Sequence, residues 1–151
     1  MTLIILRFLN ILMAGLICGT LFGIWIGYNP QNLSAQTYVE HQQSVIKALN
    51  TLMPLLGLIT IVLTVISALM QKDNKTVFIS LLIAAVLFII SGLVTRFGNQ
   101  PINSIVMTWN KADVPSNWAD LRDKWWSWHV IRAVTAIAAF CIIVWTTMRK
   151  D

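Results

Sequence analysis

Long apolar runs separated by short polar clusters dominate the chain. No charged residue stands between Arg7 and Glu40, between Lys47 and Lys72, between Lys75 and Arg96, or between Arg132 and Arg149. A helix needs about 20 mostly apolar residues to cross the hydrocarbon core of a bilayer. Each gap reaches that length or nearly so. The pattern predicts four transmembrane helices, over about 3–28, 51–70, 76–96 and 126–148. The expected fold is all-α: a four-helix transmembrane bundle forming a single domain over 1–151. Four crossings put both termini on one side, with a polar helical cap on the side opposite them.

Local signals punctuate these helices. The first carries Gly15, Gly19, Gly23 and Gly27, a slowly winding stripe at 3.6 residues per turn. Bare glycine lets a neighbouring helix approach closely, so the stripe is expected to be a packing face. Tyr28-Asn29-Pro30 ends the helix, because proline cannot continue it, and Ser34 is placed to cap the next one. Residues 37–50 include Glu40, His41, Gln42, Gln43 and Lys47. They are too polar for lipid and read as a helix above the membrane, with Gln43, Lys47 and Asn50 on one face. Pro54 falls in the first turn of the second span, where a missing N–H costs least. Residues 71–75 form a turn short enough to make the second and third spans antiparallel neighbours. Asn99-Gln100-Pro101-Ile102-Asn103 reads as a break, followed by a short helix over Ile105–Asn110 and a polar loop over Lys111–Asn117. The last helix begins near Ser116 or Asn117, and its first third is expected to project from the bilayer.

Composition supports the membrane reading. Hydrophobic residues make up 57% of the chain and charged ones 11%, against about 25% charged in soluble domains. A net charge of +5 raises nucleic acid as a partner. The cations stand at helix ends, however, where the positive-inside rule places them, so the bilayer is the expected partner and nucleic acid is not. The apolar run Phe8–Tyr28 exceeds a signal-peptide core and no small-x-small cleavage site follows it, so it reads as a retained helix. Cys18 and Cys141 lie within spans without metal-ligand spacing and read as small core residues. Lys72, Lys75, Arg149 and Lys150 cluster with the termini, with Arg7 near them. The expected location is therefore a bacterial inner membrane with cytoplasmic termini. Oligomeric state is not encoded in any of these features.

One stripe on the last helix concentrates chemistry. Trp118, Arg122, Trp125, His129 and Arg132 stand at offsets 0, 4, 7, 11 and 14, within an arc of about 80° and a length of about 20 Å. Ionisable residues near a bilayer turn inward or toward water, so the stripe is expected to face the other helices. Aromatic and cationic anchors at an interface would also produce tryptophan and arginine here, and Trp126, Trp128, Trp25, Tyr28 and Trp145 suit that simpler role. His41, Arg96, Asn99, Asn103 and Asn50 fall on the same membrane side as His129. Together they offer guanidinium and amide donors for an anionic oxygen, indole walls for a flat ring and imidazole for proton transfer.

The run Arg96-Phe97-x-Asn99-x-Pro101-Ile102-Asn103, followed by Trp109, Pro115, Trp118, Leu121-Arg122, Trp125, His129 and Arg132, resembles the anthrone oxygenase-like family of small integral membrane proteins (the DUF1772 group). The resemblance spans all four helices and is most specific between Arg96 and Arg132. It implies oxidation of a flat hydrophobic phenolic (anthrone-like) or quinone-like molecule, without a metal or flavin cofactor. It also implies a pocket of Asn103, Trp109, Trp118, Arg122, Trp125, His129 and Arg132. In such chemistry His129 is the candidate base, and Arg96, Arg122 or Arg132 the candidate oxyanion donors. The expected catalytic residues are His129, Arg122 and Arg132. The expected substrate-binding residues are Arg96, Asn99, Asn103, Trp109, Trp118, Trp125 and His41, the last on topology alone; no metal ligands are expected.

Two alternatives stand beside this. One is a non-catalytic membrane protein that binds a lipid or small amphiphile, or supports a partner protein. The other is a haem or metal carrier built on His41 and His129, ranked lowest because no cysteine or carboxylate cluster accompanies them. No P-loop, dinucleotide fingerprint or zinc motif is present.

Overall fold

Helix α1 (Thr2–Gly27) is followed by a single 3₁₀ turn and the shorter α2 (Ala35–Leu49). Helices α3 (Leu52–Leu69) and α4 (Lys75–Val94) come next. A π-helical turn (Thr95–Asn99) leads into α5 (Gln100–Val106), and the chain ends on α6 (Trp118–Met148). This computed structural model describes residues 1–149; Lys150, one of the expected terminal cations, lies outside the described residues. Four stretches are long and apolar enough to cross a membrane, and among the described residues there is no sheet. They make the chain an integral membrane protein.

Polarity is distributed accordingly. Phe8, Leu12, Leu16, Leu58, Val62, Ile66, Ile83, Val86, Leu93, Ile131 and Val134 all point outward and are exposed. In water such a surface would aggregate; against lipid tails it costs nothing. The interior instead holds Asn10, Thr60, Thr64, Ser67 and Ser91, all buried. Unpaired polar groups are costly there, and these are paired. Thr64 Oγ1 lies 2.9 Å from Asn10 Oδ1 and 2.7 Å from the Thr60 carbonyl, and the Arg7 guanidinium meets Gln71. Ser91 Oγ donates to the Arg132 carbonyl at 3.0 Å. Pairs running in opposite order along the chain set the directions: Arg7–Gln71 and Asn10–Thr64 make α1 antiparallel to α3, Cys18–Ala136 and Leu21–His129 make it antiparallel to α6, and Ser91–Arg132 and Asn99–Trp125 make α4 and its continuation antiparallel to α6. Close approach comes from alanine: Ala133, Ala136 and Ala139 of α6 are completely buried, facing Ala14 and Ala84 in the same core.

The glycine stripe does not do this. A Cβ built at Gly19, Gly23 or Gly27 meets nothing within 4 Å, and at Gly15 it meets only the Phe140 ring at an ordinary 3.6 Å. The stripe faces outward, and the expected packing role is corrected. The inward face of α1 is, Asn10 apart, as apolar as its outward face, so hydrophobic periodicity alone does not tell them apart. Cys141 is likewise exposed rather than in the core.

The expected break at Pro101 is also corrected. Lys75–Val106 runs as one candidate span of 32 residues, about 48 Å at 1.5 Å per residue, against a hydrocarbon core of about 30 Å. Its end therefore projects beyond the membrane core. Proline removes one helical N–H and its ring crowds the carbonyl four residues back. The wider π turn at Thr95–Asn99 takes up that crowding without stopping the helix. The turn also brings Gly98 against α6, where a Cβ would stand 2.6 Å from Trp128 Cγ. Gly98→Ala is therefore expected to destabilise the protein by roughly 1–3 kcal/mol through overpacking. Gly19→Ala is expected to be neutral or stabilising by up to about 1 kcal/mol from helix propensity. Thermal unfolding of both variants in one detergent checks this, and equal midpoints would discount the Gly98 contact.

Beyond the membrane end of the bundle, α2, α5 and the start of α6 pack into a second core around Tyr28, Tyr38, Val39, Ile46, Ile102, Val106 and Trp125. Ser34 caps α2 as expected, its hydroxyl accepting from the Thr37 amide at 3.3 Å. The buried face of α2 is Tyr38, Val39, Gln42 and Ile46, whereas Lys47 and Asn50 are exposed. On the outer surface Lys111 bonds Glu40 at 2.6 Å, which holds its ammonium above the ordinary value.

Candidate functional site

The stripe on α6 turns inward at its lower half, where the second core meets the bundle. His129 is completely buried, with the Trp125 and Trp126 rings nearly parallel to its imidazole at centroid distances of 5.2 and 5.6 Å. Its Nδ1 is 3.2 Å from Arg132 Nε and 2.9 Å from Arg132 Nη2, and its Nε2 is 3.2 Å from the Leu21 carbonyl. A guanidinium only donates. Nδ1 therefore accepts, and Nε2 carries the proton given to Leu21. Arg132 also reaches Thr95 Oγ1 at 3.4 Å and lies 5.8 Å from the centre of the Trp125 ring.

An amide cluster holds Trp125 in turn. Its indole N–H donates to Asn103 Oδ1 at 2.8 Å, which also accepts from Gln42 Nε2 at 3.4 Å. Asn99, fully buried, donates Nδ2 to the Trp125 carbonyl at 3.0 Å. The π turn and α5 are thus pinned to α6 through backbone and side chain of one tryptophan. Tyr28 stacks on His41 at 4.3 Å, meets Trp125 edge-on at 6.4 Å and donates to Gln42 Oε1 at 3.3 Å. Tyr28 and Trp125 therefore stand between the two histidines, which do not converge on a shared ligand position. Among the described residues, no three or more His, Cys, Asp or Glu side chains are grouped to hold a metal.

Three cavities adjoin this cluster. The largest, about 250 Å³, lies between α1, α3, α4 and α6; it is walled by Leu21, Gly57, Phe88 and Gly92 among others, with Ser91, Thr95, Arg96, Gln100 and Arg132 as its polar lining. A second of about 40 Å³ shares Thr95, Gln100 and Arg132 with it and adds Gln42, Asn103 and Trp125. A third of about 80 Å³ shares Asn50, Gln100 and Asn103 with the second. Of the sequence-predicted residues, Arg96, Asn103, Trp125 and Arg132 are brought to these cavities. His129 stands directly behind Arg132, and Asn99 behind Trp125.

The others lie elsewhere. Arg122 stacks over Trp118 at 4.7 Å and pairs with Asp123 at 2.8 Å. Trp118 packs near Tyr38, and the Trp109 carbonyl accepts from Gln43 at 2.9 Å. His41 is exposed. None of these four lines the three cavities. The stripe is about 20 Å long, so its first turns belong to the cap and only its last two reach the bundle interior. The supposed anchors also divide. Tyr28, Trp126 and Trp128 pack inward, whereas Trp145 is half exposed at the other end, with Arg149 over its ring at 4.8 Å.

Sequence reading passed over Gln42, Tyr38 and Thr95. Tyr38 and Gln42 are completely buried four residues apart, a spacing that signals one helix face. Among the described residues the Tyr38 hydroxyl has no hydrogen-bond partner, and burial pushes its phenol up.

No curated protein and no solved structure matches the chain. A family model described as anthrone oxygenase matches residues 43–142. That stretch runs from α2 to α6 and includes Arg96, Asn103, Trp125, His129 and Arg132, the residues at the cavities and the histidine behind them. The chain belongs to the anthrone oxygenase family.

Proposed function

We propose that this protein is a membrane oxygenase acting, without a cofactor of its own, on a flat, hydrophobic, enolisable phenol of the anthrone type. The observation that carries the reading is Arg132. It is a cation at the polar end of an otherwise apolar cavity, with His129 Nδ1 2.9 Å behind it. At about 250 Å³ the cavity lies just below the roughly 300–1,000 Å³ of typical small-molecule pockets, which suits one compact ring system.

The proposed chemistry uses these two groups in turn. The oxygen of the bound ring system draws the Arg132 guanidinium away from His129, leaving Nδ1 free to take the proton from the acidic methylene carbon on the opposite side of the central ring. Arg132 holds the enolate oxygen that results. The enolate passes one electron to dioxygen, and the radical pair combines into a peroxide on carbon. His129 returns its proton to the peroxide. The second C–H proton leaves, the O–O bond breaks and water departs, so that CH₂ and O₂ become C=O and H₂O. Leu21 and Phe88 supply apolar wall, and Asn103 keeps the Trp125 indole in place beside Arg132. The cations on the side of the termini, Lys72 and Lys75 at the turn between α3 and α4 and Arg149 after α6, favour cytoplasmic termini under the positive-inside rule, with the cap of α2 and α5 on the opposite side.

The test is oxygen uptake by purified protein in nanodiscs given an anthrone. One O₂ consumed per ketone formed is expected, with ¹⁸O from ¹⁸O₂ in the new carbonyl. Tight binding without uptake would replace this reading by the non-catalytic one.

A further inference from the structure

The large cavity is not sealed from the bilayer, and its exposed lining residues are all on one side. Pro54 and Leu58 of α3, and Gly92 and Arg96 of α4 and the π turn, are exposed, whereas Ile17, Leu21, Phe88 and Ser91 at the back are buried. The mouth therefore lies between α3 and α4, within stretches apolar enough to be membrane spans. Two glycines, Gly57 and Gly92, stand on its two lips, and a Cβ on either would meet nothing within 4 Å. Neither glycine is needed for helix packing, and each costs helix stability relative to alanine, about 1 kcal/mol. Their missing side chains leave an open slot.

The other way out of the cavity has a different character. It runs through the second cavity, past Gln42, Asn103 and Trp125, to the third, which is bordered by the exposed Asn50, Ser104 and Met107. Holding one water takes roughly 10–15 Å³. The middle cavity, at about 40 Å³, has room for a few waters and for no ring system.

We propose that the gap between α3 and α4 is a lateral portal through which an apolar ring system passes directly from the bilayer to Arg132, while the narrow amide-lined path to the cap carries water and protons. The identity of the occupant rests on the oxygenase reading; the portal itself does not. Gly57 and Gly92 set the thickness of what passes, and Arg96, at the mouth, meets the polar edge of the arriving ring system.

Benzophenone dissolved in liposomes holding the full protein is a suitable probe, because its photoexcited triplet carbonyl reacts preferentially with methionine. Met53 lines both the large and the middle cavity, whereas Met70 is 47% exposed on the outer surface and serves as the control. Irradiation followed by peptide mapping is expected to label both. In Gly57→Leu/Gly92→Leu, Met53 labelling is expected to fall at least tenfold, with Met70 labelling unchanged and the thermal unfolding midpoint no lower than that of the wild type. Gly92→Leu alone, at an exposed position, is expected to move it the same way should the double variant fold poorly. Ser104→Phe, at the cap mouth, is expected to leave Met53 labelling intact. An unlabelled Met53 in the wild type, undiminished labelling in the glycine variants, or a loss caused by Ser104→Phe instead would overturn the portal. If the labelling behaves as expected but no anthrone is turned over, the portal stands and the oxygenase reading falls.

Discussion

Arg132→Met is expected to lower kcat/KM for an enolisable phenol by roughly 10²–10³-fold, the cost of removing one oxyanion donor. Its effect on thermal stability is expected to be small, because the roughly 1–3 kcal/mol lost by leaving His129 Nδ1 without a donor is set against removal of a buried charge that no carboxylate pairs. This separation is the informative part. The guanidinium makes its contacts with His129 Nδ1, Thr95 Oγ1 and the Trp125 ring from a position beside the large cavity. None of those contacts joins it to a carboxylate. Were it only an anchor at the membrane interface, its loss would move stability or insertion and spare turnover. Arg132→Lys is expected to recover little activity, since an ammonium lacks the planar fork that serves His129 and a substrate oxygen together. Steady-state kinetics with unfolding midpoints measured on the same preparations decide it. Turnover within threefold of wild type in Arg132→Met would remove Arg132 from the mechanism.

His129 separates into two effects. His129→Ala is expected to destabilise the fold by roughly 2–3 kcal/mol, because it strips the acceptor from a guanidinium that depends on it and leaves a cavity between two indoles. His129→Gln keeps an acceptor for Arg132 and a donor for the Leu21 carbonyl, so the fold is expected to survive. A glutamine amide takes no proton, however. Its rate is expected to rise about tenfold per pH unit as hydroxide replaces the base, whereas the wild-type rate levels off once the imidazole is neutral. Parallel pH profiles for wild type and His129→Gln would make His129 a positioning residue that acts only through Arg132.

The division between cap and site shows where sequence reading stopped. The period of 3.6 aligned Trp118, Arg122, Trp125, His129 and Arg132 on one face, and that face does turn inward at Trp125 and His129. Alignment on one helix says nothing about what lies opposite each turn. Arg122 meets Trp118 and Asp123 in the cap, whereas Arg132, ten residues on, meets the cavity between the spans. The amide cluster was half visible. Asn99 and Asn103 stood out around Pro101, but Gln42 lay in a stretch of polar residues where only its spacing of four from Tyr38 and Ile46 marked a buried face.

What the amino-acid sequence determined by itself is the set of elements and their solvent. Four charge-free runs long enough to span lipid are a local property of the chain, because each helix satisfies its own backbone hydrogen bonds and needs no partner to be stable in hydrocarbon. The choice of inward faces was decided only by tertiary structure. In water the hydrophobic effect ties polarity to direction; in lipid most residues on both faces are apolar, and packing around a few paired polar side chains such as Asn10 and Thr64 decides. Hence the glycines of α1 face outward and the alanines of α6 inward, and Pro101 sits in a helix continued by a π turn instead of a break. The cavity is likewise a property of four helices at once, since Gly57, Gly92 and Arg132 stand far apart in the chain and only the assembled bundle places them around one space.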